Sequence, residues 1–151
     1  MVVAGPQYPK SIRWPPNVER IEHLSPREHR GFYNAQRFTL NITRADMIGA
    51  GYSPSVRLFE AAACATPLIS DYWEGLDTFF KIGEEILVAF SADEVLAQVR
   101  EMPEDQRRGL GARARARALQ AHTAAHRAEE LEGYLFELLR AGSLARQPAS
   151  S

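Results

Sequence analysis

Residues 38–71 read FTLNITRADMIGAGYSPSVRLFEAAACATPLISD, and this stretch decides the fold. Residues 38–43 are rich in β-branched and aromatic side chains, which predicts a strand. A serine followed by a proline opens residues 53–64, and this pair is typical of the first turn of a helix. Residues 67–71 form another short apolar run. A strand, a helix and a strand in this order predict a βαβ unit with parallel strands.

The same alternation continues on both sides of this unit. Further strands are predicted at 1–4, 18–23 and 85–89, and further helices at 26–36, 76–81, 91–102 and 103–141. Residues 44–52 contain Gly49 and Gly51 and predict a loop. The predicted fold class is α/β, a Rossmann-like parallel sheet flanked by helices, with long C-terminal helices. We expect one domain over residues 1–141 and a flexible tail at 142–151.

The composition is that of a globular protein, with 45% hydrophobic and 25% charged residues in a chain of 151. A net charge of -1 gives no reason to expect binding to nucleic acid or to an acidic membrane. Cys64 is the only cysteine, so no disulfide can form within the chain. No apolar run reaches the roughly 20 residues that span a bilayer, and the N-terminus has no signal-peptide pattern. These observations predict a cytoplasmic protein.

The predicted topology also indicates where a ligand binds. In parallel sheets, ligands bind beyond the carboxyl ends of the strands, which here are the loops after Ala4, Thr43 and Asp71. The helix that begins near Ser53 points its amino end at the same edge. Free N–H groups and the helix dipole there favour an anion such as a phosphate.

Two charged residues stand on this otherwise apolar helix. Arg57 and Glu60 lie three residues apart and therefore share one helical face. A charge on a core-packing helix needs a partner or a ligand. The residues alone leave two interpretations open: the pair is structural or solvated, or it contacts a ligand.

The order of four motifs resembles a known family. These motifs are LNITR (40–44), GYSPSVRLFEAAAC (51–64), TPLISDYWEGL (66–76) and GEEILV (83–88). Together they resemble the C-terminal domain of glycosyltransferases with two Rossmann-like domains (the GT-B architecture). The group that the chain resembles most is the spore-maturation CgeB-like group, related to the glycosyltransferases of group 1. The resemblance implies a nucleotide-sugar-binding domain whose N-terminal partner domain is absent from this sequence.

The resemblance assigns roles to four residues of the helix and its preceding loop. Glu60 matches a glutamate that binds the ribose hydroxyls of the donor nucleotide. Tyr52 stands where relatives carry a glutamate that contacts the donor sugar, which is a departure from the family pattern. Ser55 and Arg57 are implied as donor contacts, and Arg57 is the candidate that stabilises the departing diphosphate. The remaining candidate donor contacts are Gly51, Ser53, Arg44, Trp73 and Lys10.

Other readings stay open for several of these residues. Lys10 is a solvated loop charge in the alternative interpretation, and Trp73 is a packing residue. His122 and His126 have helical i, i+4 spacing, but without a third ligand they predict a solvated helix face rather than a metal site. The arginines at positions 107, 108, 113, 115 and 117 likewise predict a solvated helix.

The predicted function is donor binding in a glycosyltransferase that uses a nucleoside diphosphate sugar, of the UDP type, without a metal or other cofactor. With the N-terminal domain absent, we expect the chain to bind a nucleoside diphosphate but not to turn over a sugar alone. An apolar stripe of Tyr134, Leu135, Leu138 and Leu139 predicts a possible homodimer. Two alternatives are a non-catalytic nucleotide-sugar-binding or interaction module, and a flavodoxin-like or receiver-like domain.

Overall fold

The computed structural model describes residues 1–6 and 8–144, and short strands alternate with helices along them. The strands are β1 (Val2–Ala4), β2 (Glu19–Ile21), β3 (Thr39–Asn41), β4 (Leu68–Ser70) and β5 (Leu87–Val88). The helices are α1 (His29–Asn34), α2 (Ala45–Ala50), α3 (Val56–Ala63), α4 (Leu76–Phe79), α5 (Ala92–Glu101), α6 (Glu104–Ala121) and α7 (Ala124–Leu144).

Every strand pairing in the described part of the chain is parallel. β1 pairs with β2, and β3, β4 and β5 form a three-stranded sheet in that order. The predicted α/β class, with parallel strands flanked by helices and long helices at the C-terminus, is confirmed. The sequence predicts one sheet, whereas the paired strands form two separate sheets.

The core is centred on α3. Leu58, Ala61 and Ala62 of this helix are fully buried, and α3 contacts β3, β4, α1 and α6. Its small alanines let the neighbouring elements approach closely, while Leu58 contributes about 2 kcal/mol of hydrophobic stabilisation. Because four elements pack against α3, the helix has a fixed position relative to the strands.

The loop predicted at 44–52 is mostly the helix α2. Arg44 is its N-cap residue, and Asp46 in the first turn suits the positive end of the helix dipole. Gly51 ends the helix with a φ of 64°, in the left-handed region that favours glycine. Gly51, which in the sequence predicts a loop, therefore marks a helix C-terminus.

The arginines of α6 are not simply solvated. Nε of Arg113 donates to the Glu84 carbonyl at 2.7 Å, Nε of Arg115 to Ala63 at 3.0 Å, and Nε of Arg117 to Phe79 at 2.9 Å. Two of these carbonyls end helices α3 and α4, where backbone oxygens lack partners within the helix. Arg113 and Arg115 are exposed as predicted and Arg117 is half-buried, and all three also attach α6 to the rest of the domain.

The prediction that His122 lies on a solvated helix face is wrong. Its ring lies 5.3–5.8 Å from the rings of Phe59, Phe79 and Phe80, and its Nε2 lies 2.9 Å from the Phe79 carbonyl. Burial lowers the pKa of His122. No group of metal-ligating side chains occurs within residues 1–6 and 8–144.

The last helix, α7, carries large apolar side chains that little of the domain covers. Leu131, Tyr134, Leu135, Phe136, Leu138 and Leu139 are 53–69% exposed. The helix continues to Leu144, past the predicted start of the tail at 142, and residues 145–151 lie outside the described residues. Among the described helices, none is long and apolar enough to cross a membrane.

Candidate functional site

A hydrogen-bond network joins the carboxyl ends of β3 and β4. Asp71 accepts hydrogen bonds from the Thr43 backbone N at 2.9 Å and from Thr43 Oγ1 at 2.7 Å. Its Oδ1 also accepts from Ser70 Oγ at 3.2 Å. Thr43 and Ser70 are buried and Asp71 is half-buried, so water competes only partly for these bonds. The network fixes the loops that follow the two strands relative to each other.

Asn41 connects this network to α3. Its Nδ2 donates to Ser70 Oγ at 3.0 Å and to Thr43 Oγ1 at 3.1 Å. Its Oδ1 accepts a hydrogen bond from Arg57 Nη1 at 3.3 Å. A guanidinium carries five N–H donors, so this one bond sets the direction of Arg57 and leaves donors over for an anion.

The loop before α3 is joined to the loop after β4. The Tyr52 backbone N donates to the Glu74 carbonyl at 2.8 Å, and Tyr52 has a φ of 47°, which is rare for a bulky residue. Its ring lies against Gly75, where an added Cβ would come within 2.5 Å of Tyr52 Cδ1. Gly75 therefore provides both the space and a φ of 97°. The Tyr52 ring stays 61% exposed on the surface beside α3.

The amino end of α3 is free of a side-chain cap. Ser55, not Ser53, is the N-cap residue, and its side chain makes no capping hydrogen bond. The predicted start is corrected because Ser55 still has extended backbone angles, φ -69° and ψ 136°. The helix therefore presents uncapped N–H groups and the Ser55 hydroxyl together at its positive end, which suits an anion.

Glu60 lies on the second turn of α3 and is held from α1. His29 Nδ1 lies 3.3 Å from Glu60 Oε1, and the Tyr33 hydroxyl donates to Glu60 Oε2 at 3.1 Å. Burial, and then the nearby Glu60 charge, raise the pKa of Tyr33, so its hydroxyl keeps the proton it donates. Arg57 bonds Asn41 instead of Glu60, and no ion pair links Arg57 with Glu60 in the described residues. The structural Arg57–Glu60 pair is therefore not formed.

A comparison with known families identifies the family of this chain. Residues 1–133 match the family described as glycosyl transferase-like. The chain belongs to this glycosyl transferase-like family. No curated protein matches the sequence. Among solved structures, the chain is similar to AviGT4, a glycosyltransferase involved in avilamycin A biosynthesis, with 19% identity and a TM-score of 0.47. The match covers 79% of this chain and 40% of AviGT4, so the chain spans less than half the length of that protein.

The other three predicted site residues of this glycosyl transferase-like chain belong to three other segments. Trp73 is only 2% exposed and packs against Phe79, with ring centroids 5.9 Å apart. Arg44 follows Thr43 directly and is exposed at the start of α2. Lys10 is exposed in the turn after β1, and within the described residues no hydrogen bond joins it to α3. The other six belong to one segment: Gly51, Tyr52, Ser53 and Ser55 lead into α3, and Arg57 and Glu60 lie on its first two turns, where Arg57 bonds Asn41 and Glu60 bonds α1.

Six residues of this arrangement are absent from the sequence-based site. They are Asn41, Thr43, Ser70 and Asp71 of the network, and His29 and Tyr33 behind Glu60. One signal existed: Asn41 and Thr43 alternate in the strand predicted at 38–43, so their polar side chains share one face, and both are buried. Buried polar side chains on one face of a strand indicate a hydrogen-bond network rather than a plain core.

A cleft of about 250 Å³ lies at the other end of α3, away from this site. Its lining includes Cys64, Arg30 and Arg115. Burial raises the pKa of the Cys64 thiol, which keeps it protonated and poorly nucleophilic at neutral pH. This agrees with a packing role for Cys64.

Proposed function

We propose that this domain binds the nucleoside diphosphate part of a nucleotide sugar, of the UDP type, and presents the sugar for transfer to an acceptor. The observation that carries the proposal is the placement of Ser55, Arg57 and Glu60 on the first two turns of α3. Arg57 bonds Asn41 at the joined carboxyl ends of β3 and β4, where ligands of parallel sheets bind. Membership in the glycosyl transferase-like family supports the same assignment.

The proposed roles follow from the chemistry of each group. The diphosphate would lie at the uncapped amino end of α3, with Ser55 and the spare donors of Arg57 as hydrogen-bond donors. Glu60 would accept hydrogen bonds from the ribose hydroxyls. Tyr52 would lie beside the sugar, where its exposed ring offers an apolar face. Arg44, at the start of α2 directly after Thr43, and Lys10, in the turn after β1, would add positive charge near the diphosphate.

Catalysis in this proposal is positioning and charge stabilisation. The departing nucleoside diphosphate gains negative charge as the sugar bond breaks, and a fixed guanidinium stabilises that charge without a metal. The acceptor site would belong to the N-terminal domain of a two-domain enzyme. We therefore propose that the isolated chain binds the donor and does not turn it over. Kinship with the CgeB-like group and a cytoplasmic location stay predictions from the sequence.

Nucleotide affinity tests this proposal. Calorimetric titration of the chain with UDP, GDP and ADP should show binding of at least one, with UDP preferred. Arg57→Ala should weaken that binding about tenfold or more, because a hydrogen bond to a charged phosphate is lost. Arg100→Ala is the matched control, since Arg100 is exposed on α5, and it should leave the affinity unchanged. Equal affinities of wild type and Arg57→Ala would contradict the proposed role of Arg57.

The exposed apolar face of α7 also favours binding to another protein chain. Leu131, Leu135 and Leu138 have i, i+4, i+7 spacing and so form one face. At 53–69% exposure, burial of this face against a second copy would stabilise an interface by several kcal/mol on the usual scale of about 25 cal/mol per Å². We propose a homodimer formed through α7.

Sedimentation equilibrium at several concentrations measures this association. The average mass should rise above the 16.9 kDa of one chain as concentration increases. Leu135→Glu combined with Leu138→Glu should keep the mass at one chain, because each dimer would bury four charges. Glu137→Gln, on the opposite side of the helix, is the control. A wild-type mass that stays at one chain across the range excludes the dimer.

A further inference from the structure

Glu60 is held by one donor on each of its two oxygens, and both donors come from α1. His29 Nδ1 lies 3.3 Å from Oε1, and the Tyr33 hydroxyl lies 3.1 Å from Oε2. The Tyr33 ring is 6% exposed, whereas the side chains of His29 and Glu60 are 33% and 37% exposed. The side of the carboxylate that faces Tyr33 is therefore buried, and its other side is accessible to solvent.

This arrangement leaves acceptor capacity on Glu60. An ionised carboxylate has about four lone-pair directions, two on each oxygen. His29 and Tyr33 take one direction on each oxygen, so one on each oxygen is left for a ligand. Two adjacent acceptors on the open side match two vicinal hydroxyls of a ribose.

The two donors are themselves fixed. The Tyr33 ring packs edge-on against Phe32, with centroids 5.6 Å apart, and against His29 at 6.3 Å. The Tyr33 carbonyl accepts a hydrogen bond from Thr66 Oγ1 at 2.8 Å, which ties this residue to the start of β4. A carboxylate can only accept, so Nδ1 of His29 must carry the hydrogen in this contact.

We propose that His29 and Tyr33 are positioning residues that aim the Glu60 carboxylate at the ribose hydroxyls of the donor nucleotide. This inference rests on the proposed function. A free glutamate side chain rotates about three bonds, and most of its orientations face away from a ligand at the end of α3. The two donors remove that freedom before the ligand arrives, so less conformational entropy is lost on binding.

The test compares ribose and deoxyribose forms of the same nucleotide. Affinities for UDP and 2′-deoxy-UDP are measured by calorimetry, with the GDP and ADP pairs alongside, for wild type, Tyr33→Phe, His29→Ala and His29→Asn. Wild type should bind the ribose form about tenfold more tightly, as expected for a hydrogen bond to a charged group. Tyr33→Phe and His29→Ala should reduce that ratio to within about threefold, and they should weaken the deoxy form less than the ribose form, because the deoxy form keeps only the 3′-hydroxyl for Glu60 to accept from. His29→Asn should restore the ratio, because its amide N–H stands close to the position of Nδ1.

The outcomes separate the two proposals. A ribose preference that persists unchanged in both Tyr33→Phe and His29→Ala overturns the positioning role and leaves the proposed function standing. A parallel loss of affinity for ribose and deoxyribose forms also overturns it, since that result indicates general structural damage. If wild type binds none of the nucleotides, the proposed function fails and the positioning role fails with it. Thermal unfolding of each variant shows which of them are folded, and Tyr33→Phe keeps the packed ring in any case.

Discussion

Replacing Gly111 by alanine is expected to lower the free energy of unfolding by about 3 kcal/mol, at the upper end of what overpacking costs. Gly111 lies on the buried side of α6, where the helix crosses the turn between α3 and β4. An added Cβ would overlap the Ala65 carbonyl oxygen and lie 3.3 Å from Pro67 Cδ. Such an overlap cannot persist, so either α6 or the turn has to move.

The turn has little freedom to move. Ala65 has a φ of 56°, and its backbone N donates to the Ala62 carbonyl at 2.8 Å. The Thr66 N donates to Ala61 at 3.0 Å, and the Thr39 N donates to Pro67 at 2.8 Å. These bonds connect the turn to α3 and β3, so α6 is the element we expect to be displaced.

Denaturant unfolding at fixed protein concentration measures this effect. Gly133→Ala is the matched control, because Gly133 is also helical and a Cβ there meets nothing within 4 Å. Alanine in an open helical position should raise stability by about 0.5–1 kcal/mol. The two substitutions are chemically identical, so opposite signs isolate the steric contact. Equal unfolding midpoints for the two variants would show that α6 does not pack closely on the turn.

Local signals predicted the element types well and several boundaries poorly. Ser91 with Glu94 predicts a capping box, and the Glu94 N does donate to Ser91 Oγ at 3.2 Å. Ser25 and Pro26 likewise predict a capped helix start, but Glu28 is the N-cap residue and the regular helix begins only at His29, while the Ser25 hydroxyl donates to the Glu28 carboxylate at 2.7 Å. Caps are encoded by neighbouring residues, whereas the point where a helix becomes regular depends on what it packs against.

The two charged residues of α3 could be predicted from the sequence, whereas the residues that hydrogen-bond to them could not. Arg57 and Glu60 stand out in sequence because they are charges on an apolar helix. Their partners lie far along the chain: Asn41 is 16 residues from Arg57, and His29 is 31 residues from Glu60. Such contacts arise only when α1, β3 and α3 pack together, and no local pattern encodes them.

Asp71→Ala is expected to cost about 3 kcal/mol of stability, because it leaves buried donors without an acceptor. The carboxylate accepts from the Thr43 backbone N, from Thr43 Oγ1 and from Ser70 Oγ. The two hydroxyls can rotate towards other acceptors, whereas the Thr43 N–H cannot. Most of the cost therefore comes from one buried backbone donor at the end of β3.

The measurement is denaturant unfolding at neutral pH, with Asp93→Ala on α5 as the control, since Asp93 is exposed. The control should change stability by less than about 1 kcal/mol, through the helix dipole alone. A double-mutant cycle with Thr43→Ala should give a coupling energy of at least about 1 kcal/mol, because the two residues share hydrogen bonds. Additive single and double variants would mean that the Thr43 Oγ1–Asp71 bond contributes nothing, since Thr43→Ala keeps the backbone N–H bond. If Asp71→Ala were also as stable as Asp93→Ala, the joined edge of β3 and β4 could not be what holds Asn41 and Arg57 in place.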